Sequence, residues 1–229
     1  MRRIDCDIKS LKSLERAARV AAKVLQRGGV VVYPTDTAYG LGVDATRAST
    51  VKKIFAIKGR SAEKAVSVSV KNIDMAWQYA VLSQTVRRFL KRVWPGAVTV
   101  ILKGRSTLPK NLTAGANAVG LRWPDHPFHE ALFRFIDFPI TATSANISGE
   151  KPSRDPKDVA AALSGGVIKP DLIVNIGKLK RVSPSTVIDL TGAKPKILRE
   201  GPVKAKLLIA LLKNYISSPH TRSLTRHRL

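Results

Sequence analysis

Acidic residues are scarce in this chain: 16 Asp+Glu stand against 40 Lys+Arg in 229 residues, a formal charge of +24. A field of that sign disfavours cationic partners and favours polyanions such as nucleotides, RNA or acidic lipid, although much of it coats solvated helix faces. Cysteine is nearly absent. Cys6, alone, forms no intrachain disulfide, which points to a reducing, cytoplasmic setting and leaves no Cys/His quartet for zinc. The four histidines are His126, His129, His220 and His227. The pair beside Pro127 reads as decoration of a helix start, so no protein-held metal is expected. Aromatics make up 6% of the chain, few for base-stacking platforms. No apolar run approaches the ~20 residues of a membrane span, and the N-terminus lacks the apolar stretch of a secretory signal, so neither a membrane nor export is expected. A P-loop pattern is also missing. Gly40-Leu41-Gly42-Val43-Asp44-Ala45 matches a dinucleotide fingerprint only superficially, because Pro34 to Tyr39 separate it from the strand it would have to follow directly.

What is present is enough for a real core: 44% of residues are hydrophobic, and the length suits one domain. That domain is expected over residues 1–216, with the polar, basic stretch 217–229 as a disordered tail. Leu11, Leu14, Ala18, Ala21 and Leu25 recur at helical spacing, and Gly28-Gly29 end that helix. The β-branched run from Val30 to Tyr33 reads as a buried strand closed by Pro34. Ser49 or Thr50 is expected to cap a helix through Ile57. Further strands are predicted over 65–70, 98–102, 119–123, 139–142, 172–174, 186–190 and 196–198. Helices are predicted over 74–80, 83–93, 127–135 and 203–216, with one more starting at Asp155-Pro156. The mixture is α+β, a mixed α/β fold with a twisted mixed sheet covered by helices.

Three sets of polar residues stand at element ends. Thr35, Asp36 and Thr37 lie at a strand exit, where open α/β sheets bind ligands. Lys58-Gly59-Arg60 closes a helix with two cations about a permissive glycine, suited to an anion. Ser144-Ala145-Asn146, if extended, aims a hydroxyl and an amide the same way. Singly, each set equals an ordinary cap or turn.

In order along the chain, however, the segments YPTDTAYGLG, Lys58-Gly59-Arg60, WPGAVTVIL, VGLRWPDHPF, TSANISG, PSTVIDLTG and LREG resemble the YrdC-type threonylcarbamoyl-AMP synthases, from about Gly28 to Gly201. The resemblance implies a basic concave cavity. It also implies a reaction in which L-threonine, bicarbonate and ATP, the last carried with Mg²⁺, give threonylcarbamoyl-AMP and pyrophosphate. The product then passes to a threonylcarbamoyl transferase complex that modifies tRNA. By the family's pattern Lys58, Arg60, Ser144 and Asn146 form the catalytic tetrad. Thr143, Ser185 and Arg199 join them around ATP, and Thr35, Ser69 and Arg122 face threonine. Here Lys58 is expected to act as a mobile point charge on carboxylate or phosphate and Arg60 as a bidentate phosphate grip.

Some positions depart from the pattern. Ser61 and Ala65 stand where the family often has proline, and Ser69 where longer relatives carry a histidine that helps bind threonine. Those relatives also have a C-terminal domain that this chain is too short to include. Two rival readings follow from the residues: a module binding tRNA or double-stranded RNA through phosphates, without synthase activity, and a related adenylylating enzyme with a different acyl or amine substrate.

Overall fold

The computed structural model describes residues 1–217. The expected tail, 217–229, lies outside them apart from its first residue. Eleven strands and eight helices are present among the described residues. The first part of the chain runs β1 (Arg2–Asp5), α1 (Leu11–Gln26), β2 (Val31–Pro34), β3 (Tyr39–Gly42) and α2 (Ala48–Lys58). The middle runs β4 (Val68–Ser69), α3 (Ile73–Tyr79), α4 (Gln84–Val93), β5 (Val98–Lys103), α5 (Lys110–Thr113), β6 (Ala118–Arg122), α6 (Pro127–Leu132), β7 (Ile140–Thr141) and β8 (Thr143–Ser144). The chain continues with α7 (Pro156–Ala162), β9 (Leu172–Asn175), β10 (Thr186–Asp189), β11 (Lys196–Arg199) and α8 (Ala205–Ser217).

The strands make two mixed sheets where one was expected. The first has the order β1-β9-β2-β3-β8 and the second β11-β10-β5-β6-β4-β7. Alternation along β2 explains why its residues read as one apolar run. Val31 and Tyr33 join the main core with α1, while Val32 joins a smaller core with Ile54 and Ile57 of α2 and Val159 of α7. A strand buried on both faces has no polar side to show. α1 supports this packing with a face of Leu14, Ala17, Ala18, Ala21 and Leu25, small enough for close approach, and Ser10 caps it through the amide of Ser13.

Several boundaries differ from the expectation. Ser49 and Thr50 do not cap α2; Thr50 sits inside it and donates its hydroxyl to the carbonyls of Asp44 and Arg47. The preceding turn is held instead by the Asp44 carboxylate, which accepts from Thr46 and pairs with Arg47 at 3.0 Å. β3 falls where no strand was predicted, on the segment that only superficially matched a dinucleotide fingerprint. A Cβ on Gly40 or Gly42 would lie 2.9 Å from the Tyr33 ring, so these glycines make room for an aromatic side chain on the neighbouring strand. Within 65–70 only Val68 and Ser69 enter a ladder, between β6 and β7.

The two sheets meet where the chain passes from β7 to β8. Thr141 belongs to the second sheet, yet its amide bonds Val43 O at 3.0 Å and its hydroxyl donates to Leu41 O at 2.8 Å. Ala142 N bonds Ser67 O at 2.7 Å, and Ser144 pairs with Gly40 in the first sheet. This seam opens a concave face between the sheets.

Behind it, His129 of α6 is buried and its Nε2 shares a 2.8 Å hydrogen bond with the Ser69 hydroxyl. Burial first, then His126 and Arg122, push its pKa from the ordinary 6.5 down to about 3, and burial takes His126 to about 4. The folded state therefore resists protons that the unfolded chain accepts. Its stability is full above pH 6.5 and is lost as pH falls toward these values. We expect the urea midpoint to fall between pH 7 and pH 4.5 (roughly spanning the window), and to fall less in His129→Gln, which keeps a partner for Ser69. Equal pH slopes in the two proteins would contradict this.

Candidate functional site

A cavity of about 430 Å³ lies at the seam, within the size range of small-molecule sites. Its walls come from the exit of β2 and start of β3, from the segment after α2, from β5 and β6, from β8, and from the loops before α7 and β10. Among the described residues five arginines line it, Arg60, Arg122, Arg154, Arg181 and Arg199, and no aspartate or glutamate does. The remaining polar lining includes Thr35, Thr37, Ser67, Thr99, Thr143, Ser144 and Ser185.

Thr35 turns the chain out of β2. Its hydroxyl donates to Ala38 O at 2.6 Å and accepts from the amides of Thr37 and Ala38, a side-chain turn that fixes the rim. Across from it Arg122, at the end of β6, donates from Nη1 to Thr37 at 2.9 Å and from Nη2 to Asp36 at 2.5 Å. Arg122 is 8% exposed, and its buried Nε has no protein partner among the described residues. Arg199 reaches back from β11 to Ser185, with Nε on the carbonyl at 2.9 Å and Nη2 on the hydroxyl at 3.2 Å; that hydroxyl also shares a bond with Thr99 at 2.9 Å. Gly201 makes this close passage possible, since a Cβ there would lie 2.1 Å from Pro184 O. Arg60 is steered by the left-handed Gly59 (φ 56°) and holds Lys64 O and Ala65 O at 3.1 and 2.9 Å. Burial lowers the pKa of Arg60, and burial first, then the neighbouring Arg122, lowers that of Arg199.

The four residues of the expected tetrad are brought together, but not as equals. Lys58 is 2% exposed and does not line the cavity. Its ammonium donates to Ser144 O at 2.5 Å and Asn146 O at 2.7 Å, with Asn146 Oδ1 at 3.4 Å. The Lys58 carbonyl meanwhile accepts from Ser148 N at 2.7 Å. Lys58 is thus a buried clamp on the Ser144–Asn146 turn, in place of the mobile charge expected from the sequence. A buried ammonium takes its hydrogen bonds from the nearest carbonyls. Burial and Arg60 push its pKa down to about 8. Asn146 is spent in the same way: Oδ1 accepts from Ser144 Oγ at 2.5 Å, and Nδ2 donates to Ile147 O and Glu150 O. The Ser144 and Asn146 side chains therefore converge on each other, leaving Ser144 on the wall and Asn146 behind it.

Of the other expected residues, Thr35, Arg122, Thr143, Ser185 and Arg199 line the cavity. Ser69 does not. It is fully buried, and its hydroxyl is committed to His129. Arg154 and Arg181 were missed by sequence reasoning; their only signal was standing a few residues from TSANISG and PSTVIDLTG in loops of otherwise ordinary composition. No helix of the described residues is long and apolar enough to cross a membrane.

A mixed α/β fold carries, between its two sheets, a cavity whose described walls hold five arginines and no carboxylate, an arrangement suited to an anion. More specifically, the chain belongs to the Sua5/YciO/YrdC family, whose model, described as "Telomere recombination", matches residues 23–201. The threonylcarbamoyl-AMP synthase of Pyrococcus abyssi is 35% identical over 187 residues, 80% of this chain and 53% of that protein. Among solved structures, P. abyssi Sua5 complexed with L-threonine superposes with a TM-score of 0.82 at 31% identity, over 92% of this chain and 60% of that one. E. coli YciO superposes with a TM-score of 0.78 at 28% identity, over 90% of this chain and 97% of that one. The chain spans a little over half the length of the P. abyssi synthase.

The clamp makes a prediction. Lys58→Met strips a buried and a part-buried carbonyl of their donor and should cost about 2–4 kcal/mol, whereas Arg60→Ala, on the cavity wall, should cost clearly less. Chemical denaturation of the two variants beside the wild type checks this, and a fully stable Lys58→Met would overturn the structural role of the lysine.

Proposed function

We propose that this chain is an L-threonylcarbamoyladenylate synthase, joining L-threonine, bicarbonate and ATP into threonylcarbamoyl-AMP with release of pyrophosphate. The observation that carries the reading is the cavity wall, with its five arginines and no carboxylate, built on the segments that resemble the synthases. The likeness to the P. abyssi synthase, and to its structure with threonine, supports it.

The threonine amine adds to bicarbonate with loss of water to give a carbamate. One carbamate oxygen then attacks the α-phosphorus as the bond to the bridging oxygen breaks, and pyrophosphate departs. All participants are anionic, so assembly is the obstacle, and it yields to positioning and charge rather than to a protein nucleophile. In this reading Arg60, Thr143 and the Ser144 hydroxyl address the inner phosphate. Ser185 and Arg199 hold the nucleotide. Thr35 and Arg122 face the amino acid, the Arg122 guanidinium on the cavity wall being suited to its carboxylate. Lys58 and Asn146 act by fixing Ser144.

Among the described residues no group of three or more His, Cys, Asp or Glu is arranged to hold a metal ion, and the cavity wall has no carboxylate. Mg²⁺ is proposed to enter on the phosphates of ATP, as part of the substrate. We further propose that the product is handed in the cytoplasm to the transferase complex that modifies tRNA.

Pyrophosphate release from ATP, with threonine and bicarbonate omitted in turn, tests the reading. Release is expected to require both and to fall at least tenfold in Arg60→Ala. Release indifferent to threonine would instead favour a related adenylylating enzyme, and no release together with salt-sensitive RNA binding would favour a binding module.

A further inference from the structure

Three of the five cavity arginines have their guanidinium groups already committed to the protein: Arg60 to two carbonyls, Arg122 to Asp36 and Thr37, and Arg199 to Ser185. Arg154 and Arg181 differ. Both line the cavity, yet neither guanidinium has a hydrogen-bond or ion-pair partner among the described residues. The acidic groups beside Arg154 are engaged elsewhere: Asp155 Oδ1 accepts from Lys157 N at 2.9 Å, capping α7, and Asp158 Oδ2 accepts from Ser153 Oγ at 3.0 Å. The two arginines come from separate loops that are tied together, because Leu179 N bonds Arg154 O at 3.0 Å two residues before Arg181. Arg154 is half-buried and Arg181 exposed, so this pair lines the cavity from loops on a side open to solvent, whereas the Lys58 clamp is buried.

We propose that Arg154 and Arg181 form a polyphosphate subsite on this side of the cavity, which takes the β- and γ-phosphates of the nucleotide and then the departing pyrophosphate. The assignment rests on the nucleotide reading of the inner cavity and adds to it where the leaving group goes. Two cations on one side, with no counter-charge on the cavity wall, repel each other. An anion bridging them relieves that repulsion, and the planar fork of arginine suits phosphate oxygens bidentately. A nucleoside monophosphate whose phosphate lies at Arg60 and Ser144 carries no charge that extends outward, whereas a triphosphate does. When the α-phosphorus bond to the bridging oxygen breaks, its electron pair leaves with the β-phosphate, so charge accumulates at this subsite as the carbamate–phosphorus bond forms.

Calorimetric titration of the full chain with ATP, AMP and inorganic pyrophosphate, each with Mg²⁺ at fixed ionic strength, tests the assignment without relying on turnover. The wild type is expected to bind ATP at least tenfold more tightly than AMP. In Arg154→Ala/Arg181→Ala the ATP and pyrophosphate affinities should each fall at least tenfold while AMP stays within about twofold, because both side chains lie outside the core. Lys12→Ala/Lys23→Ala, which removes the same charge from the exposed face of α1, should leave all three affinities unchanged. If it weakens ATP as much as the arginine pair does, the effect is the whole-protein field and the subsite is refuted. Pyrophosphate bound unchanged by the arginine variant, or AMP falling in step with ATP, would refute the subsite alone. A wild-type chain that binds none of the three would overturn the nucleotide reading, and the subsite with it.

Discussion

The buried ammonium of Lys58 is the constraint from which the site follows. Placed at the end of a helix and excluded from water, it can remain charged only by finding acceptors, and the two carbonyls at 2.5 and 2.7 Å belong to the last residue of β8 and to the turn that follows it. With its own carbonyl held by Ser148, the residue grips that turn with both side chain and backbone. The consequence reaches the cavity through Ser144, which pairs with Gly40 in the first sheet and has its hydroxyl aligned by Asn146. A lysine acting on a phosphate and a lysine holding the residue that faces the phosphate share one sequence signature. Only burial and distances separate them.

A second constraint is the junction of the two sheets. β7 and β8 are separated by a single residue, yet they belong to different sheets, and Thr141 bonds across the boundary to Leu41 and Val43. Strand ends from both sheets therefore open onto one concave face, where the exits of β2 and β6 and the starts of β3 and β10 supply polar groups. Arginines gather there with one carboxylate, Asp36, drawn off the wall into a pair with Arg122. The uneven composition of the chain has a local meaning at this place: acidic residues near the site cap helices or hold turns, and the positive potential of the cavity is left for a ligand.

Much of this was legible in the sequence. The helix from Leu11, the strands at 98–102 and 186–190, the helix over 83–93 and the mixed fold class all followed from periodicity and punctuation, and the ordered segments located most of the cavity wall. What escaped has physical reasons. β1 has no alternating pattern because only Ile4 of its residues is buried, and its pairing partner lies near the other end of the chain. β3 was hidden because its glycines answer to the Tyr33 ring, a contact between strands. Ser69 reads as a polar residue at the place of a ligand, yet it is satisfied by His129 from a helix 60 positions away. The division into two sheets depends on which strands pair, and no local pattern carries that information.

The most direct test of the account is a crystal structure of the chain with a non-hydrolysable ATP analogue bound. The account predicts the α-phosphate against Arg60 and the Ser144 hydroxyl, the outer phosphates toward Arg154 and Arg181, and the Lys58 ammonium still on the carbonyls of Ser144 and Asn146. A nucleotide seated away from this cavity, or a Lys58 ammonium turned from the carbonyls onto the phosphate, would contradict it.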